Sequence, residues 1–384
     1  MRPPCARQPP GWRPFRCLSN GIPAPPRGDR PDSGDRTAGE AAFTAPQRAI
    51  GEGIDRLITI EISGRGIAAA LYAAARVAQD GPLCLQAASR LLARVRNGSV
   101  VLLATGHPMY PWFTGEQDGP VGTATLARAL VLGAGARPVI VTDPTNQEIC
   151  AAAIRAVGLA VGTVDDTLRL PTTAAVLPFP LDWNDAAVRA QEMLDTLRPA
   201  ALIAVERPGA NEHGHYHGAG GQRLTEHCAK IDALFEAAGR RELLTIAIGD
   251  GGNEIGCAAI RETVLRVVPN GAACACPCGG SIVPTVRTDL LVVGAISNWG
   301  AYGIEASMAL LLGRPDVLHD RDIDARVIER CAAAGATDTR GLSDPGPDAV
   351  PARLHGHAVD LLHHMVRTGL DFGSLYRTPP YPWL

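Results

Sequence analysis

From Ala45 to Arg96 the apolar positions fall at helical spacing: Ile50, Ile54, Leu57 and Ile58 recur at i, i+4 and i+7, and two further periodic runs cover Gly66 to Ala78 and Pro82 to Val95. The pattern predicts a helical N-terminal segment. Beyond it the rhythm changes. Short apolar runs at Ser99 to Ala104, Pro138 to Thr142, Ala200 to Val205, Leu243 to Ile248 and Asp289 to Ala295 alternate with longer helix-like stretches. Runs of this length suit strands buried on both faces, and their alternation with helices describes βαβ units. The expected fold is α/β, with a mostly parallel, doubly wound sheet carrying helices on both faces.

Residues 1–45 are rich in Pro, Arg and Gly and show no apolar periodicity, so they are expected to form a disordered tail ahead of one α/β domain over residues 46–375. The tail's arginines and scarcity of acids partly match a mitochondrial transit peptide, but its prolines oppose the amphipathic helix that such a peptide needs. The expected compartment is cytoplasmic, with the mitochondrial matrix as the alternative in a eukaryote. No stretch reaches the roughly 18–20 apolar residues of a membrane-spanning helix.

Composition narrows the partners. With 46% hydrophobic and 20% charged residues over 384 positions the chain can bury a substantial core, and a formal charge of -3 without any dense Lys/Arg run gives no footprint for nucleic acid or anionic membrane. A small molecule is the expected partner, and oligomeric state is left open. Lys230 is the only Lys, in a helix-like stretch from Leu224 to Ala238; the abundance of Arg, Ala, Gly and Pro has the character of a coding bias. Of the ten cysteines, Cys84, Cys150, Cys228, Cys257 and Cys331 lie in apolar segments and read as reduced core residues. Cys274, Cys276 and Cys278 stand at C-x-C-x-C spacing with no C-x-x-C pair elsewhere, and read as a thiol-rich loop first, with a zinc or redox role as the lesser reading.

Polar motifs follow the expected strands, where ligands of open α/β sheets collect. After the first comes Gly115-Glu116-Gln117-Asp118-Gly119-Pro120; after Val205, Glu206-Arg207-Pro208-Gly209 and a loop running to Gly221 with Asn211, His213, His215, Tyr216 and His217; after Ile248, Gly249-Asp250-Gly251-Gly252-Asn253-Glu254-Ile255-Gly256; after Ala295, Ser297-Asn298-Trp299-Gly300. Two acidic pairs at one sheet edge, Glu116 with Asp118 and Asp250 with Glu254, would push each other's pKa values apart, so that one group can serve as acid and another as base. The glycines of the third motif permit close backbone approach to an anion. They form neither G-x-G-x-x-G nor a Walker A sequence. Arg207 can grip a carboxylate in bidentate fashion. His213, His215 and His217 alternate along the chain, which opposes three on one ion and leaves His215 as a proton carrier. Asn298 can orient a carboxyl oxygen and Trp299 can wall a pocket. No residue is assigned as a metal ligand.

Taken in order, these four motifs resemble the signature series of the D-glutamate cyclase family, from roughly Ile50 to Val366, with Gly249 to Gly256 and Ile296 to Gly300 the most specific parts. The resemblance implies dehydration of D-glutamate to 5-oxo-D-proline, a hydro-lyase reaction. In that chemistry Arg207 would hold the α-carboxylate, with Asn211 and Tyr216 beside it; Asp118 or Asp250 would take the amine proton; Glu116, Glu254 or His215 would protonate the departing oxygen. The N–H groups near Gly251 and Gly252, with Asn253 and Asn298, would steady the oxyanion. A divalent metal, Mg²⁺ or Mn²⁺, on the carboxylates could replace the acid. Two alternatives stand beside this one: a phosphate- or nucleotide-using ligase acting on an amino acid, and a non-catalytic amino-acid-binding protein.

Overall fold

A computed structural model describes residues 43–371. Apart from its last three residues, the tail read over 1–45 lies outside that range, as do residues 372–375 of the expected domain. The first helix, α1 (Ala45–Ile58), starts on a capping box: the Thr44 side chain accepts the N–H of Gln47, whose own side chain accepts that of Thr44. After α2 (Ala68–Gln79) and α3 (Leu83–Arg94) the chain enters β1 (Val100–Thr105), then a two-stranded ribbon of β2 (Pro108–Met109) and β3 (Thr114–Gly115). Next come α4 (Pro120–Ala134), β4 (Arg137–Thr142), α5 (Gln147–Ala156), β5 (Ala160–Gly162), α6 (Val164–Arg169), β6 (Thr173–Pro178) and α7 (Trp183–Leu197). The remaining elements are β7 (Ala201–Val205), α8 (Asp232–Gly239), β8 (Leu244–Gly249), α9 (Arg261–Val267), β9 (Leu290–Val293), α10 (Ser297–Leu312), α11 (Arg321–Ala333) and α12 (Ala352–Leu370).

Seven strands form one parallel sheet in the order β5-β6-β4-β1-β7-β8-β9. The chain runs outward from β1 through β4 to β5, turns back at β6, and crosses to β7, β8 and β9. Right-handed crossovers therefore put α4 and α5 on one face and α6, α7 and α8 on the other. On the first face α10 packs against α4 and α3, and α1, α11 and α12 complete the layer. The fold is the expected doubly wound α/β arrangement with a helical N-terminal segment. Because the crossovers leaving β1 and β7 run to opposite faces, a crevice opens between their carboxyl ends.

All five apolar runs picked out in the sequence are strands of this sheet. Lys230 differs from its expected setting: α8 starts only at Asp232, and the Lys230 ammonium donates to the carbonyls of Thr225 and Cys228 at 2.6 and 2.7 Å while lying over the Tyr216 ring. Cys84, Cys150, Cys228, Cys257 and Cys331 are free and buried, as core thiols should be. Among the described residues no helix is long and apolar enough to cross a membrane.

Candidate active site

The crevice beyond β1, β7 and β8 holds a cavity of about 230 Å³. Its polar lining is Arg65, His107, Glu116, Glu206, Gln222, Asp250, Asn253, Thr339 and Asp348, with Met109, Tyr110, Gly218, Ala219, Gly220 and Leu224 closing the wall. Four carboxyl groups thus face one small space, and Asp118 and Glu254 lie directly behind them. Donor-type atoms fall within 4.8 Å of one another in three sets: Asp118, Asp250 and Asp348; Glu206, Asp250 and Glu254; and His107, Glu116 and Glu206.

Each acid is held by its local fold. Asp118 precedes α4 and reaches across to the start of α10, where it accepts the N–H groups of Ser297 and Asn298 at 2.9 and 2.8 Å, a carboxylate at the positive end of a helix dipole. The turn between Asp118 and α4 needs glycine: Gly119 has φ +94°, and a Cβ there would lie 2.6 Å from Thr105 Oγ1 and 2.9 Å from Glu206 Cβ. Glu206 leaves β7 with φ +46°, a left-handed conformation costly for a residue with a side chain, and the Ser297 hydroxyl donates to its carboxylate at 2.6 Å. Asp348, far along the sequence, has φ +54° as well. Two strained acids in one cavity mark a place where position has been favoured over backbone comfort.

Arg65 supplies the only permanent positive charge among the described lining residues. It lies between α1 and α2, and its guanidinium donates to Asp250 Oδ1 at 3.1 Å, to Asp348 Oδ2 at 3.3 Å and to the Ala295 carbonyl at 2.7 Å. Burial works against its charge, but Asp250 and Asp348 raise its pKa above the ordinary value.

One guanidinium does not neutralise this many acids. Burial first, and the neighbouring carboxylates next, raise Glu116, Glu206 and Asp348 well above the usual carboxyl range. Burial and the charge of Asp250 bring Asp118 up to about 7, and raise Glu254 as well. His107, with Nδ1 3.4 Å from Glu116 Oε2, is pushed down to about 4 by burial and by the charge of Arg207. The cavity therefore favours the protonated form of these carboxyls and the neutral form of the imidazole.

Of the residues singled out in the sequence, Glu116, Asp250 and Asn253 line the cavity, while Asp118 and Glu254 support it from behind. The Gly251 and Gly252 N–H groups point elsewhere. Together with the N–H of Asp250 they donate to the Glu254 carboxylate, at 2.7, 2.8 and 3.2 Å, so the glycine turn carries its own anion. Arg207 does not reach the cavity: it is fully buried, with its donors on Asp143 at 2.6 Å and on the carbonyls of Gly106 and Ala229 at 2.7 and 2.8 Å. Those bonds tie the ends of β1, β4 and β7 together.

The other expected ligand contacts are replaced by structural ones. Asn298 Oδ1 accepts the N–H groups of Gly119 and Gly122 at the start of α4, at 2.9 and 2.7 Å. Trp299 is buried with its indole N–H on His355 Nδ1 at 3.0 Å. The Tyr216 hydroxyl donates to Asp232 at 2.5 Å in a separate small apolar cluster. Asn211 Oδ1 accepts the N–H groups of His213 and His215, both at 3.0 Å, folding the loop upon itself. His215 lies away from the cavity, its ring 3.4 Å from the Thr225 hydroxyl.

Arg65, His107, Glu206 and Asp348 were not picked out from the sequence. Glu206 stands inside a quoted motif and His107 lies two residues past the end of β1, so their place after a strand was a usable signal. Arg65 and Asp348 come from segments that follow no strand.

Fold and site together define an α/β protein with a carboxyl-lined crevice at the switch point of its sheet. The chain belongs to the family described as D-glutamate cyclase-like, C-terminal, whose profile matches residues 54–363. It is similar to the mitochondrial D-glutamate cyclase of Homo sapiens, 28% identical over 223 residues, which is 55% of this chain and 33% of that protein. The chain thus matches about a third of that relative's length.

Proposed function

We propose that this protein cyclises D-glutamate to 5-oxo-D-proline with loss of water. Lactam closure joins the α-nitrogen to the γ-carbon. Starting from the zwitterion, the ammonium nitrogen gives up two protons and the departing γ-oxygen gains two, leaving as water. A site for this reaction needs acceptors beside the nitrogen and donors beside the oxygen in one confined volume. The observation that carries the reading is the crowd of buried carboxyls beside the Arg65–Asp250 pair, in a cavity below the size of a drug-sized pocket and suited to an amino acid.

In this reading Arg65 grips a substrate carboxylate and the Asp250 carboxylate receives the ammonium proton. Glu116 and Asp348 carry the protons that the γ-oxygen needs, and Glu206 and Asp118 set their charge balance. The amides of Asn253 and Gln222 orient the polar ends of the substrate. Holding the chain bent with the amine against its own γ-carbon supplies much of the acceleration, because well-oriented intramolecular reactions reach effective molarities of about 10⁵–10⁸ M. The clustered oxygens of Asp118, Asp250 and Asp348 are also of the hard type that Mg²⁺ or Mn²⁺ prefers. A cation held there would polarise the γ-carboxyl group and offset the acidic charge.

The phosphate-using alternative gains nothing from the geometry, since the glycine-turn N–H groups are occupied by Glu254 and the cavity wall is acidic. Incubation with D- and L-glutamate, with and without EDTA, followed by chiral detection of 5-oxoproline, tests the proposal. Product from D-glutamate above a boiled-protein control supports it. D-glutamate binding without turnover would establish the amino-acid-binding alternative instead.

A further inference from the structure

Away from the acidic cavity, the segment between α9 and β9 meets the loop after β7 in a group that lactam closure does not use. Cys274, Cys276 and Cys278 and the His217 ring bring their donor atoms within 4.8 Å of one another. Cys274 Sγ lies 3.3 Å from both Cys276 Sγ and Cys278 Sγ, and His217 Nε2 lies 3.3 Å from Cys276 Sγ and 3.6 Å from Cys278 Sγ. The C-x-C-x-C spacing by itself offers three thiols and no fourth ligand. Its fourth member stands 59 residues before Cys276, where sequence spacing gives no warning of it.

We propose that His217, Cys274, Cys276 and Cys278 form a tetrahedral zinc site of the closed, structural kind. Zinc bonds of about 2.3 Å to sulfur and about 2.0 Å to nitrogen place donors on a tetrahedron about 3.5–3.8 Å apart, within about 0.5 Å of the four separations above. A disulfide would hold two sulfurs at about 2.0 Å, and all three thiols are free. Thiolates with an imidazole select zinc over the oxygen-seeking Mg²⁺ and Mn²⁺. Four protein ligands leave no open position for substrate, which separates this site from catalysis.

The surroundings suit such an ion. The Cys278 N–H points at Cys276 Sγ at 3.5 Å and Asn211 Nδ2 at Cys278 Sγ at 3.8 Å, donors that soften the negative charge of coordinated thiolates. Residues 268–289 contain no helix or strand, and a loop of that length in a compact domain is usually functional, bound to something or disordered. A zinc cross-link gives it a fixed end. As zinc exchanges its waters for the cysteines, three thiol protons pass to solvent. The link also has a consequence for the cavity: His217 immediately precedes Gly218, Ala219 and Gly220 of its wall, and the His217 carbonyl accepts the side-chain N–H of Asn253 at 3.0 Å. The ion would brace that wall without touching substrate.

The test uses the full chain purified without chelators. Elemental analysis is expected to find one zinc ion per chain. Titration of the Cys5→Ser, Cys17→Ser chain with an organomercurial, followed by a zinc-sensitive dye, should release it fully at three equivalents, since the remaining cysteines are buried. Exchange for Co²⁺ should give a tetrahedral d–d spectrum with thiolate-to-cobalt charge transfer. Cys276→Ser and His217→Ala should each lower zinc retention by at least about tenfold, the lower bound for changes that only adjust a ligand's surroundings, while Asp118→Asn keeps it. Three thiols alkylated freely in the presence of added zinc, or an intact mass two hydrogens short, would overturn the proposal. Because the wild-type metal content and cobalt spectrum are read without any turnover assay, loss of the cyclase reading would leave this result standing, and the reverse.

Discussion

Arg65 Nη2 lies 2.9 Å from Asp250 Oδ2, joining the segment between α1 and α2 to the turn after β8 across the mouth of the acidic cavity. The pair holds the proposed base in place and presents a guanidinium to the substrate at the same time. Arg65→Met is expected to lower kcat/KM for D-glutamate by about ten- to a hundred-fold, the worth of one or two charged hydrogen bonds. Arg65→Lys should recover little of it, because a single ammonium cannot span Asp250, Asp348 and the Ala295 carbonyl. Steady-state kinetics and melting temperatures of the two variants together distinguish this from a purely structural role, in which the loss of activity would track a loss of stability and KM for D-glutamate would not rise.

Arg207 should behave differently. Arg207→Leu leaves Asp143 buried without its counter-charge, a change that costs about 3–5 kcal/mol when one partner of a buried pair is removed. Chemical denaturation should show that loss. KM for D-glutamate in the folded protein should stay within about twofold of wild type, since removing a group that makes no substrate contact takes away no uniform binding. A large rise in KM with unchanged stability would return Arg207 to the substrate.

Glu254→Ala removes the acceptor of three backbone N–H groups in a dry turn. Unsatisfied donors of this kind cost about 1–3 kcal/mol, and the freed turn no longer aims Asp250. The melting temperature and D-glutamate turnover should fall together. Retention of full activity would show that the turn is held by other contacts.

The cluster also predicts a pH dependence of stability. Glu116, Asp118, Glu206, Glu254 and Asp348 are all raised in the folded chain, Asp118 to about 7, mainly by burial. For an acid with a raised folded pKa, the folded state holds its proton more tightly than the unfolded state. Its stabilising contribution is complete below the unfolded pKa, about 4, and disappears as pH rises through the folded value. Without added divalent metal the melting temperature should therefore decline from about pH 4 upward, with all five acids contributing until the share of Asp118 is spent near pH 7, while His107, lowered to about 4, opposes the decline only below about pH 6.5. Asp348→Asn should shallow the decline, and Mn²⁺ or D-glutamate should oppose it. A flat profile would contradict the protonation states assigned to the cavity.

The sheet was legible because each central strand is buried on both faces and so is almost wholly apolar, from Val100 to Thr105 and from Leu244 to Gly249. The edge strand β5 and its neighbour β6 were not picked out, since exposed positions such as Ala160 and Pro178 dilute the signal. Glu116 and Asp250 could be placed in the crevice from strand order alone. Arg65 and Asp348 could not: both arrive through tertiary folding from segments outside the βαβ rhythm, Arg65 lying 283 residues from Asp348. Arg207 was given a ligand role because an arginine after a strand looks available, whereas its carboxylate partner, Asp143, follows a different strand. The glycine turn was read as an anion cradle, and it is one; the anion is Glu254.

The central claim is that the carboxyl cluster closes the lactam. The most direct measurement follows D-glutamate and 5-oxoproline by proton NMR in parallel samples of wild-type and Asp250→Asn protein, matched for melting temperature. Wild type should form 5-oxo-D-proline, and Asp250→Asn should form it at least about a hundredfold more slowly, the usual loss on removing a general base. Equal rates from the two proteins, or no product from a folded wild-type chain with or without Mn²⁺, would contradict it.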